Sequence, residues 1–139
     1  MSENLDLVHS IYADWERGDF SNAAWADPDI EYVLADGPAP GTWTGLVGMA
    51  AGFGEFLNVW ENYGVAVDEY RELDGERTLV FVRQSGRGKT SGLDLAQMGG
   101  NGAMLFDVRG GKVTRMVTYF DRDRALADLG LASEGGSPP

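Results

Sequence analysis

The stretch from Ala103 to Phe120 constrains the chain most. Two runs rich in β-branched, aromatic and long apolar residues, Ala103 to Val108 and Lys112 to Phe120, flank Arg109-Gly110-Gly111. Paired glycines between two such runs predict a β-hairpin, since tight hairpin turns favour residues that tolerate positive φ. The second arm continues into Asp121-Arg122-Asp123-Arg124-Ala125-Leu126. An Asp at its mouth and Gly130 past its end predict a short helix. A long hairpin must bury one face against something, and the remaining residues have to supply it.

Before the hairpin the apolar spacing changes once. Leu5, Val8, Tyr12 and Trp15 form one helical face, with Ser2 as a cap and Gly18 as the stop. Asp19 or Ser21 can cap a second, short helix through Ala23, Ala24 and Trp25, halted by Asp27-Pro28. Ile30 to Leu34 reads as a strand, and Ala35 to Thr44 as a loop. Leu46, Met49, Phe53, Phe56 and Trp60 predict a long helix over Gly45 to Tyr63, capped by Thr44 and ended by Gly64. Gly48 and Gly52 each cost that helix about 1 kcal/mol against Ala, so a second backbone is expected close to them. From Gly64 onward the period is two. Val65 to Leu73, Arg77 to Arg87 and Leu93 to Met98 read as strands, with Asp74-Gly75 as a tight turn. Helices first and consecutive antiparallel strands after give an α+β class: a curved antiparallel sheet, cone- or barrel-like, with the N-terminal helices packed on its concave face.

A chain of 139 residues suits one domain, expected over residues 1–132, with 133–139 as a disordered tail. Cys is absent and His9 is the single histidine, which removes disulfides, thiolate chemistry and histidine metal clusters. No metal and no cofactor are expected. The net charge is −11, and the acids are concentrated early: residues 1–76 carry 16 acids and two bases. That balance disfavours nucleic acid, whose phosphates need a basic footprint. No run approaches the about 20 apolar residues of a membrane helix, and the acidic start lacks a signal peptide's basic region. A soluble, cytoplasmic protein is expected.

Several segments taken together resemble the SnoaL-like family of the nuclear transport factor two-like superfamily. They are Tyr12-Ala-Asp-Trp-Glu-Arg-Gly-Asp-Phe20, Asp27-Pro-Asp-Ile-Glu-Tyr32, Gly111-Lys-Val113, and Val117-Thr-Tyr-Phe-Asp-Arg-Asp-Arg-Ala-Leu126 with Gly130-Leu131. The resemblance implies a conical pocket between helices and sheet, and commonly a homodimer through the sheet. It does not fix an activity, because its members include cyclases, an isomerase, a hydrolase and modules without known chemistry. On that reading the pocket residues are Trp15, Tyr32, Trp43, Phe53, Phe56, Trp60, Arg83, Gln97, Met116 and Tyr119. Arg83 and Gln84 face opposite sides of one strand, so at most one points inward unless a bulge intervenes.

The catalytic residues of the resembled steroid isomerase do not carry over. Its base falls near Val33, its tyrosine donor at Ile11 and its acidic donor at Ala103, and none matches in type, although Tyr12, Glu31 and Asp36 lie close in sequence. Asp107 is expected to be exposed near a turn, Asp121 to cap a helix, and His9 to sit on a helix surface. Gly86 to Thr90 lacks the full phosphate-loop pattern and reads as a strand bend. Two functions stay open. One is a cavity of about 300 Å³ or more for a small apolar or aromatic molecule, whose catalytic version would be isomerase, cyclase or hydrolase chemistry. The other is a non-catalytic homodimeric accessory module.

Overall fold

The computed structural model describes residues 3–20, 22–36, 40–89, 92, 94 and 101–131. Helix α1 (Glu3–Glu16) leads to strand β1 (Ala26–Leu34), a short strand β2 (Gly41–Thr44) and helix α2 (Gly45–Val59). Strands β3 (Trp60–Glu72), β4 (Arg77–Gly88), β5 (Asn101–Arg109) and β6 (Lys112–Tyr119) follow, then helix α3 (Arg122–Asp128). The six strands form one sheet in the order β2-β1-β6-β5-β4-β3. It is open, and bulges in the β1–β6, β3–β4 and β5–β6 pairings bend it. The caps expected at Ser2 and Ser21, the strand at Leu93 to Met98 and the tail 133–139 lie wholly or largely outside the described residues.

The closing hairpin forms as its sequence requires. Gly110 and Gly111 both have positive φ, 59° and 76°, which lets a two-residue turn follow the right-handed twist of its arms. Along β5, Met104, Phe106 and Val108 face one core, while Ala103 and Leu105 face another. Helix α1 buries Val8, Ile11, Tyr12 and Trp15 against the first. Helix α3 buries Ala125 and Leu126 against the second, on the outer face. Asp121 caps α3, its carboxylate accepting from the Asp123 amide.

Five expectations are corrected. The sheet is mixed, because β1 pairs with β6 in parallel, Tyr32 opposite Met116. No helix forms at Ala23 to Trp25. The Asn22 carboxamide oxygen accepts from the Ala24 amide, the Trp25 indole donates to the Asn22 carbonyl, and the Trp25 carbonyl accepts from Val113. These bonds make a turn that hands the chain straight to the sheet, so β1 starts at Ala26 and holds Pro28 in its bulge. The loop before Thr44 contains β2, paired with β1. Helix α2 ends at Val59, not Tyr63, because Trp60 already pairs with Gly88 in the sheet. The neighbour of Gly52 is also not a backbone. A Cβ there would lie 2.5 Å from the Trp43 indole, so the ring lies flat on α2 where the side chain is missing.

Candidate functional site

Among the spaces bordered by α1, α2 and the sheet, two adjoin one another at Phe56. The outer one is a mouth of about 240 Å³ whose walls include Leu34, Trp43, Phe56, Val59, Trp60 and Phe120, with the carboxylates Asp36 and Glu55. It is smaller than the 300 Å³ expected from sequence, yet close to the size that holds a small ligand. Behind it lies a void of about 10 Å³ lined by Trp15, Phe20, Tyr32, Phe53, Phe56 and Tyr63, among others. Phe56 borders both. Its ring meets Tyr63 edge-on at 4.9 Å and Phe120 at 5.8 Å. The sequence-predicted residues Trp43, Phe56 and Trp60 therefore reach the mouth, and Trp15, Tyr32, Phe53 and Phe56 reach the void.

The other predicted residues lie elsewhere. Arg83 points outward, its side chain 64% exposed, and pairs with Asp68 at 2.7 Å. Gln84 takes the inward position and donates from Nε2 to the Tyr63 phenol oxygen at 3.0 Å. Tyr119 faces the outer core near α3, its hydroxyl hydrogen-bonded to Asp128. Met116 is fully buried among the inner apolar residues. Gln97 lies outside the described residues. Sequence reasoning missed Phe20, Leu34, Asp36, Glu55, Val59 and Tyr63. Tyr63 was read as the last residue of a helix, and its face became predictable only once β3 was known to start at Trp60.

The mouth has little acid–base machinery. The Asp36 carboxylate accepts from the Phe120 amide at 2.6 Å and the Asp121 amide at 3.2 Å, fastening the end of β1 to the start of α3. Glu55 is exposed on α2. Three inner phenols are held neutral: burial pushes the Tyr12, Tyr32 and Tyr63 hydroxyls well above the usual phenol range. They can donate hydrogen bonds but do not act as bases at neutral pH. Tyr12 puts its hydroxyl on the Met104 sulfur at 2.9 Å. Tyr12, next to Ile11 on α1, and Met104, next to Ala103 on β5, are the inward-facing residues of their pairs and face each other. On β1 the inward neighbours of Val33 are Tyr32 and Leu34. No carboxylate stands at these positions.

Other groups singled out in the sequence have structural places. His9 packs edge-on against Tyr70, ring centroids 4.1 Å apart. Asp107 is half-buried, contrary to expectation, and its Oδ1 has no hydrogen-bond partner among the described residues. Burial pushes its carboxyl up, against the pull of Arg115, Arg77 and Arg109. Gly86 to Gly88 lie within β4, and Gly86 has φ +140°. No group of three or more His, Asp or Glu that could hold a metal occurs among the described residues. No helix among them is long and apolar enough to cross a membrane.

The sequence matches no known family profile and no curated protein. The fold matches many solved structures. One is a nuclear transport factor two-like protein of unknown function from Burkholderia pseudomallei, with TM-score 0.72 and 22% identity, covering 91% of this chain and 97% of that one. A SnoaL-like protein from a Jannaschia species aligns with TM-score 0.69 and 16% identity, covering 99% and 94%. TerC, co-crystallised with polyporic acid, aligns with TM-score 0.67 and 27% identity, covering 94% and 98%.

Proposed function

We propose that this chain, which has the nuclear transport factor two-like fold, is a small-molecule binding protein that takes a neutral aromatic compound into the mouth between α2 and the sheet. The observation that carries this reading is the 240 Å³ space walled by Trp43, Phe56, Trp60 and Phe120. A filled core would not leave such a hollow beside four aromatic rings. Asp36 and Glu55 at its edge disfavour an anion and tolerate a neutral guest. TerC was co-crystallised with polyporic acid, which supports small-molecule binding by this fold without bearing on the charge of the guest.

Binding fits the site better than turnover. The phenols are neutral donors, and Asp36 is occupied by two backbone amides. Pairing of two copies through the sheet has less to work with, because α3 and Leu131 already cover Leu79, Phe81 and Leu105. The test is a titration of indole fluorescence with a panel of neutral aromatic compounds. Saturable quenching is expected, and Val59→Glu should weaken it at least about tenfold by placing a further carboxylate at the mouth. Val59 is 44% exposed, so the substitution spares the core. Absence of saturation across the panel, or equal affinity in the variant, would overturn the reading.

A further inference from the structure

A further hollow of about 270 Å³ lies on the flank of α2 away from the mouth, between that helix and the turn that leads into β1. Phe20 and Trp25 wall it from the turn, and Met49, Phe53, Gly54 and Leu57 from the helix. Gly54 helps to keep it empty, since a Cβ there would meet no atom within 4 Å. No charged residue stands among its described walls. Its Asn22 carboxamide is already engaged, accepting from the Ala24 amide and donating to Asp14. Only the void of about 10 Å³ separates this chamber from the mouth. Phe20 and Phe53 border chamber and void, and Phe56 borders void and mouth. The Phe53 and Phe56 planes are 5° apart, with ring centroids at 6.3 Å. The polar groups beside the void are partnered with one another, Gln84 with Tyr63 and Thr118 with Tyr32.

We infer that mouth, void and chamber are one passage beneath α2, and that its ligand is a neutral aromatic head carrying a straight alkyl tail. This inference rests on the proposed binding function and names the ligand class. The head sits among the rings of the mouth. The tail runs past Phe56 and Phe53 and ends in the chamber. A charged or strongly polar tail would lose its water there and find no partner. The void sets the shape. A space of that size admits about one water-sized group, so the phenylalanine rings must turn aside for anything larger. A row of methylenes asks the least of them. A branched tail needs a wider gap than a close-packed interior opens.

The para-n-octyl and para-tert-octyl phenols provide the test, because they share a composition and differ in the shape of the tail. Wild-type protein should hold the straight isomer about tenfold or more tighter. Along the straight series from ethyl to octyl, affinity should climb about fourfold for each methylene that enters the chamber. Gly54→Leu fills the chamber with a residue that a helix favours over Gly. That variant should bind para-ethylphenol as wild type does and lose the preference for the straight octyl tail. A readout that needs no variant is the terminal methyl of bound para-n-octylphenol. It should give nuclear Overhauser contacts to the Met49 methyl, which lines the chamber and not the mouth. Equal affinity for the two isomers in wild type, a preference unchanged in Gly54→Leu, or a terminal methyl without contact to Met49 would each overturn the inference while leaving the binding function intact. Failure of every phenol in the series to bind would remove both.

Discussion

Gly52 and Gly48 lie one turn apart on α2, and the structure assigns opposite outcomes to the same substitution at each. At Gly48 a new Cβ meets the Trp43 backbone at 3.6 Å, an ordinary contact. Ala there removes the glycine penalty of a helix interior, a gain of about 1 kcal/mol. At Gly52 the new Cβ would stand 2.5 Å from the Trp43 ring and 2.8 Å from its attachment carbon. These are ring atoms near the Trp43 backbone and cannot swing clear. The propensity gain is the same about 1 kcal/mol, but overpacking costs about 1–3 kcal/mol. The two variants should differ by about 1–3 kcal/mol, or several degrees in Tm at about 4 °C per kcal/mol for a chain of this size. Urea unfolding of Gly48→Ala and Gly52→Ala measures this directly. A third protein removes the obstacle: in a Trp43→Ala background Gly52→Ala should become stabilising, a non-additivity confined to contacting residues. If Gly52→Ala matches Gly48→Ala in the presence of Trp43, the flat seating of the indole on α2 is wrong, and with it one wall of the mouth.

Arg122 is 7% exposed and donates to the Gly102 and Val82 carbonyls at 3.2 and 3.0 Å and to Asp68 at 3.1 Å, with its guanidinium over Phe81. Arg122→Ala should cost about 2–4 kcal/mol in urea unfolding, and Lys should not restore it, because one ammonium cannot reach all three acceptors and stack; wild-type stability in the Lys variant would refute this. Asp107 gives a pH signature. Its folded carboxyl sits above the usual range, so the native state takes up the proton first, and stability falls as pH rises from about 4 through the raised folded value. Asp107→Asn should remove that component, leaving the variant's advantage larger at pH 7 than at pH 4; an advantage that does not change with pH would count against it. Asp68 runs the other way. Burial pushes its carboxyl up, but hydrogen bonds from Arg122 and Arg83 hold it below the usual range. Its contribution is present above the unfolded carboxylate range and is lost as pH falls through the lower folded value.

Local signals were legible and nonlocal ones were not. The α1 stripe at Val8, Tyr12 and Trp15 carries the helical period in side chains alone, and the paired glycines at 110–111 encode their turn directly. The end of α2 was illegible, because Trp60 fits both the helical stripe it closes and the inward position of the strand it opens. The parallel pairing of β1 with β6 left no mark near Tyr32. For the site, large aromatic residues were correctly singled out as interior. Which of them border empty space depends on where Phe56 and Trp43 rest, and side-chain placement is not written in spacing. Arg83 and Gln84 show the limit: alternation required that they face opposite sides, but only the Asp68 and Tyr63 partners decide which is which.

The place of β1 in the sheet also has a consequence for how the chain is born. Glu31 reaches its ion-pair partner Arg115 across a sequence separation of 84 residues. Until the ribosome has released the last hairpin, Ile30, Tyr32 and Leu34 have α2 and β2 but no floor, and α1 has no finished surface on which to settle Trp15. Contacts so distant slow the search for the native state. A nascent polypeptide stalled before Val113 would keep its first third sticky, a burden for chaperones rather than a half-built version of the folded protein.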